Sequence, residues 1–185
     1  MNKAEQFATR HLSQEILDIE RSGRKTELPA LSVFEKAIIY KYSEDGYEQV
    51  NELLRVSKGK SNSDFGSVLN HSLSKLPNFN GLVFRCVDLS NLELKRYKEA
   101  LENNEPITEY SFVSTTKSEL TAMAFGRNTR FVIYSRTGKE IEKIAKFGIY
   151  NPPNEKEVLF RSGRSFNILE VTKEQNHTLI TMEEI

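Results

Sequence analysis

Gly81-Leu82-Val83-Phe84-Arg85-Cys86-Val87 is the stretch at which the chain changes character. Before it, apolar residues recur at helical spacing; from it onward, short apolar runs alternate with turns. Upstream, Phe7, Leu12, Ile16, Leu17 and Ile19 predict an N-terminal helical segment ending near Ser22-Gly23. Ser32, with Glu35 three positions on, predicts a capped second helix. Ser43-Glu44-Asp45-Gly46 breaks it, and Tyr47, Val50, Leu53 and Leu54 form a third stripe. A fourth helix over 64–75 stops before Pro77. Downstream, strands are predicted at 82–87, 107–113, 130–134, 157–160, 166–171 and 178–182, with helices at 92–101 and 121–125 and a turn at Thr137-Gly138. Helices followed by short strands predict an α+β fold: one domain over 1–185, with a helical subregion at 1–78 and a strand-rich core at 79–185.

Composition bounds the partners. The chain has 185 residues, 38% hydrophobic and 28% charged, which describes a soluble globular protein. Its net charge of +0 provides no global attraction to nucleic acid or an anionic membrane, so neither is expected as a partner. An anion site would have to be built locally from a few arginines. No N-terminal signal pattern is visible, and the longest apolar runs are too short to span a bilayer. Cys86 is the only cysteine, which excludes an internal disulfide, and His11, His71 and His177 are scattered. No metal site is expected.

Several segments could carry chemistry. Glu155 and Glu157, in Asn154-Glu155-Lys156-Glu157-Val158-Leu159-Phe160, enter an apolar strand two residues apart, so alternation predicts one shared face. Glu140-Ile141-Glu142 repeats the spacing. Gly59-Lys60-Ser61 resembles the end of a phosphate loop, but Leu54 stands where that motif needs glycine. Arg85 lies inside an apolar strand, where an unpaired guanidinium is costly to bury. It either pairs with a core carboxylate, points to solvent, or forks onto phosphate oxygens. Ser114-Thr115-Thr116 ends a strand, where hydroxyls cap the next helix, with Glu119 helping, or orient a carboxylate.

Arginine on a strand, hydroxyls at a strand end, then Glu-x-Glu: this order resembles the Arg, Ser-Thr-Ser, Glu-x-Glu signature of the mono-ADP-ribosyltransferases. Tyr47-Glu48-Gln49-Val50-Asn51-Glu52-Leu53-Leu54-Arg55 is similar to a helix of the clostridial and bacillus toxin catalytic domains. Leu76-Pro77, a short loop and Phe84-Arg85 resemble their lead-in to the first strand, and Ala124-Phe125-Gly126-Arg127 their NAD-gripping segment. The similarity spans residues 31–171.

The resemblance implies a split pair of β-sheets with an N-terminal helical subregion and NAD in the cleft between them. It implies that Arg85 binds NAD phosphate, supported by Arg55 and Arg127, with Phe125 near the nicotinamide. Ser114 would orient Glu157, which would stabilise the positive charge that develops on the ribose as nicotinamide leaves. Glu155 would hold or deprotonate the nucleophile, and Glu at that position implies arginine as the modified residue. Tyr150 would be the aromatic of the substrate-recognition turn, although Asn151-Pro152-Pro153-Asn154 sets it unusually far from Glu155. The implied protein is a monomeric NAD-dependent transferase acting on a target protein that presents an arginine. It would work in the cytoplasm, or be secreted or delivered into another cell. The alternatives are an NAD glycohydrolase and an inactive NAD- or protein-binding module.

Overall fold

The computed structural model describes residues 2–185. Five helices come first: α1 (Lys3–His11), α2 (Ser13–Glu20), α3 (Val33–Lys41), α4 (Tyr47–Val56) and α5 (Asp64–Ser74). The expected N-terminal segment is two helices. They separate at Leu12, which buries its own side chain and so turns Ala4, Ala8 and Ile19 onto one core. The capping box at α3 is present: the Glu35 amide donates to the Ser32 hydroxyl, and the Ser32 amide donates to the Glu35 carboxylate. Ile38 and Ile39 on α3 and Leu69 and Leu73 on α5 are fully buried, each worth about 1.5–3 kcal/mol on burial.

The expected break at Ser43-Glu44-Asp45-Gly46 does not occur. Residues Tyr42–Gly46 form a π-helical turn joining α3 to α4. Lys41 holds it by pairing with Asp45 at 2.8 Å. A side-chain carbon at Gly46 would lie 2.9 Å from the Lys41 carbonyl, so glycine is the residue that fits the tightened path.

The strands are β1 (Phe79–Val87), β2 (Ile107–Glu109), β3 (Val113–Thr116), β4 (Thr129–Glu140), β5 (Glu157–Phe160), β6 (Arg164–Lys173) and β7 (Thr178–Glu184). Ladders link all seven in the order β1-β3-β5-β4-β7-β6-β2, and β1 also pairs with β4. That second pairing divides the set into two sheets that share β4 and are also joined by β1 and β3, where Phe84 lies opposite Thr116. One is β1-β4-β7-β6-β2, with β4 and β7 parallel; the other is β3-β5 with Lys139 and Glu140 of β4. The expected strand over 107–113 is two strands, because β2 joins β6 while β3 joins β5 in the other sheet.

The expected turn at Thr137-Gly138 is a bulge. Gly81 faces Ser135 and Phe79 faces Gly138, so β4 carries one residue more than β1 there. The Glu184 carboxylate accepts the Arg136 amide at 2.7 Å and the Thr137 amide at 2.6 Å, which lets β4 continue into the second sheet. Helix α6 (Asn91–Asn103) packs on β6, with Tyr97 and Ala100 in the core of the larger sheet. The short helix α7 (Glu119–Ala122) lies between β3 and β4.

Candidate active site

Antiparallel pairing of β3 with β5 creates the centre of the site. Thr116 lies opposite Glu157 and Ser114 opposite Leu159, so Ser114 and Glu157 are diagonal neighbours on one face. The Ser114 hydroxyl donates to Glu157 Oε1. From the neighbouring sheet, Arg85 Nη1 donates to the Ser114 carbonyl at 2.8 Å. Arg85, half-buried, thus lines the cavity and forms no ion pair with a core carboxylate. Ser114 is not a helix cap either; α7 is capped by Ser118, while Thr115 donates to the Val158 carbonyl and Thr116 accepts the Ser118 amide.

Glu155 reaches the same cavity by a different route from the one alternation predicts. The strand begins only at Glu157, and Lys156 adopts a left-handed φ of 50°. The Asn154 side chain accepts the Lys156 amide at 2.8 Å, and the Glu155 amide donates to the Phe147 carbonyl at 2.9 Å. A non-glycine residue in that region costs about 1 kcal/mol or more. The repeat at Glu140 and Glu142 is bound instead by Lys117, at 2.5 and 2.8 Å. Among the described residues no cation pairs with Glu155 or Glu157.

The electrostatics follow from enclosure. Glu157 is buried, and burial pushes its carboxyl up to about 7. The Ser114 hydrogen bond and the Arg85 charge oppose that rise, and the Glu155 charge adds to it. Burial also raises the Glu155 carboxyl above its ordinary value.

A cavity of about 550 Å³ collects these groups. Its lining includes Asn51 and Arg55 from α4, Arg85, Ser114, Phe125, Phe147, Glu155 and Glu157. Asn51 braces one wall: its amide donates to the Tyr42 hydroxyl at 3.1 Å and its carbonyl accepts the Phe112 amide at 3.0 Å. Two expected site residues lie elsewhere. Arg127 is exposed and absent from the lining; its backbone amide donates to Asp88 at 2.8 Å. Tyr150 stands behind the loop, with its ring on Arg24 and its hydroxyl donating to Glu27 at 2.9 Å. The aromatic that this segment gives to the cavity is Phe147, which sequence reasoning missed. Among the described residues no His, Cys, Asp and Glu cluster is suited to a metal, and no helix is long and apolar enough to cross a membrane.

A cleft between two sheets, with arginine on one wall and a serine-held Glu-x-Glu on the other, is the arrangement of the ADP-ribosyltransferases. The family described as ADP-ribosyltransferase exoenzyme matches residues 4–185, and the chain belongs to it. Mav of Mycobacterium avium strain 104, named as an NAD(+)–arginine ADP-ribosyltransferase, is 32% identical over 170 residues, or 88% of this chain and 20% of Mav. Vis of Vibrio splendidus strain 12B01, similarly named, is 24% identical over 201 residues, or 100% of this chain and 77% of Vis. Tre1 of Pseudomonas putida strain GB-1, an NAD(+)–protein-arginine ADP-ribosyltransferase, is 28% identical over 144 residues, or 76% of this chain and 27% of Tre1. The chain thus spans about a fifth of the length of Mav and about a quarter of Tre1.

Solved structures share the fold. The ADP-ribosyltransferase HopU1 of Pseudomonas syringae pv. Tomato DC3000 superposes with a TM-score of 0.77 at 19% identity, covering 94% of this chain and 87% of HopU1. Exoenzyme S of Pseudomonas aeruginosa, solved with human 14-3-3 protein beta and carba-NAD, gives 0.76 at 18% identity, with 98% and 86% covered. Vis in complex with agmatine gives 0.64 at 22% identity, with 95% and 85% covered.

Proposed function

We propose that this protein transfers ADP-ribose from NAD to an arginine side chain of a target protein, releasing nicotinamide. The observation that carries the reading is the Arg85–Ser114–Glu157 connection, with Glu155 unpaired beside it in one cavity. The cavity fits NAD in size, since ligand sites run to roughly 300–1,000 Å³. It also fits in chemistry, because Arg55 and Arg85 supply guanidinium forks for a pyrophosphate. Phe125 provides an apolar surface for the nicotinamide end. NAD, when bound, supplies the glycosidic bond that breaks.

Glu157, fixed by the Ser114 hydroxyl, needs no reorientation to stabilise positive charge on the ribose, and a preorganised carboxylate is most effective in an enclosed site. Glu155 faces the mouth as an acceptor for a guanidinium and as the base that takes its proton. The relatives whose names specify arginine, and agmatine bound to Vis, support the choice of a guanidinium. We assign Arg127 a role in NAD binding only on the family resemblance. The protein acts as a monomer, in the cytoplasm of its own cell or of one into which it is delivered.

Incubation with labelled NAD and agmatine, or an arginine-bearing protein, tests the reading. Wild type is expected to label the acceptor. Glu157→Gln loses both transfer and NAD cleavage, whereas Glu155→Gln loses transfer and keeps part of the cleavage. Free ADP-ribose without a labelled acceptor would make the protein an NAD glycohydrolase instead. Unchanged NAD cleavage in Glu157→Gln would refute the site.

A further inference from the structure

Arg24 lies outside every motif, in the single helical turn Gly23–Lys25, and its side chain is buried. Its guanidinium caps a chain segment about 120 residues away. Nε donates to the Ile144 carbonyl at 3.0 Å, and Nη2 donates to the carbonyls of Ala145 at 3.0 Å and Lys146 at 3.3 Å. These carbonyls end an isolated helical turn and would otherwise be left without partners in the interior. The same guanidinium lies between two rings, 5.1 Å from the Tyr40 centroid and 5.4 Å from that of Tyr150. Gly23 gives the Tyr150 ring its place, since a side-chain carbon there would sit 2.3 Å from the ring and push it aside.

The residue after the capped carbonyls is Phe147, which enters the cavity and accepts the Glu155 amide. Beyond it, Tyr150 is held by Arg24 and Glu27, and Lys143 pairs with Glu27 at 3.2 Å. The loop that carries Glu155 is thus pinned through Arg24 to the helical layer, while Glu157 is held separately by β3. We infer that Arg24 is a positioning residue for the acceptor side of the site: it sets where Phe147 and Glu155 stand, and so governs transfer to a guanidinium without governing NAD cleavage. The inference rests on the arginine-transfer reading above.

Steady-state kinetics with NAD and agmatine test it, because misplacing a reacting group by about 1 Å can cost up to a hundredfold. Arg24→Gln is expected to raise the KM for agmatine about tenfold or more, and to leave the KM for NAD and acceptor-free NAD hydrolysis within about twofold. Arg24→Lys, which retains a cation between the rings but lacks the fork, falls between and guards against simple unfolding. Equal loss of hydrolysis and transfer, or an unchanged agmatine KM, overturns the inference. If wild type forms no ADP-ribosyl-agmatine, the transfer reading fails, and hydrogen exchange judges Arg24 alone. Its loss should speed exchange at the Glu155 and Lys146 amides about tenfold in Arg24→Lys, and unchanged protection there counts against it.

Discussion

Arg85 Nη1 and the Ser114 carbonyl are 2.8 Å apart, so the cation of one sheet is fastened to the strand whose hydroxyl orients Glu157 in the other. Ser114 is therefore a joint between the two halves as well as a donor. Ser114→Ala keeps its backbone bond to Arg85 and removes only the hydroxyl. The expected result is a kcat for NAD cleavage reduced about 10- to 100-fold with the KM for NAD nearly unchanged. A KM effect without a kcat effect would show that the hydroxyl serves binding.

Glu157 predicts opposite pH trends for stability and activity. Its carboxyl stands at about 7 against an ordinary 4.5, so between those values the folded chain holds a proton that the unfolded chain has released. Its contribution to stability is full below about 4.5 and is lost as pH rises through 7. Urea unfolding of Glu157→Gln should show it gaining on wild type by roughly 2–3 kcal/mol between pH 5 and pH 8. Catalysis needs the ionised form, so kcat/KM for NAD should fall below about pH 7. Glu155→Gln removes the neighbouring charge and should move that acid limb to lower pH.

Gly126 tests the placement of Phe125. A side-chain carbon at Gly126 would lie 2.4 Å from the Val87 Cα, in backbone that cannot step aside. The amides of Arg127 and Asn128 are meanwhile held by Asp88 at 2.8 and 2.9 Å. Gly126→Ala should displace the turn that carries Phe125 and raise the KM for NAD about tenfold, measured alongside melting temperature. A lower melting temperature with an unchanged KM would remove Phe125 from the binding surface.

Phe147 and Tyr150 make a paired test of the acceptor side. Phe147 lines the cavity and Tyr150 does not. Phe147→Ala should reduce agmatine transfer about tenfold and spare NAD hydrolysis. Tyr150→Phe, which keeps the ring on Arg24 and loses only the Glu27 bond, should leave both rates within about twofold of wild type. The reverse ranking would return the recognition role to Tyr150.

The sequence carried most of what local chemistry determines. The capping box at Ser32 and Glu35 and the strand at Glu157–Phe160 are where residue type and period place them. Arg85, Ser114 and Glu157 meet because they sit on strands whose pairing the motif order reflects. What was hidden depends on partners remote in the chain. The bulge at Thr137-Gly138 looks like a turn until the Glu184 carboxylate takes up its amides. The ties of Tyr150 to Arg24 and Glu27 cannot be read from its neighbours in the chain, and nothing near Phe147 in the chain distinguishes it from a core aromatic. Lys117 shows the same dependence, since only folding tells the occupied pair Glu140 and Glu142 from the free pair.

The π turn at Tyr42–Gly46 sets the angular phase between two helices that form one continuous rod. Helix α3 buries Ile38 and Ile39, while α4 presents Asn51 and Arg55 to the cavity. An α-helix advances about 100° per residue. Removing Asp45, which does not line the cavity, would restore ordinary pitch and swing α4 by about that angle, carrying Arg55 away from the cavity. A cation motif that looks like a matter of side-chain identity is thus also a matter of rotation, written into a five-residue turn of backbone.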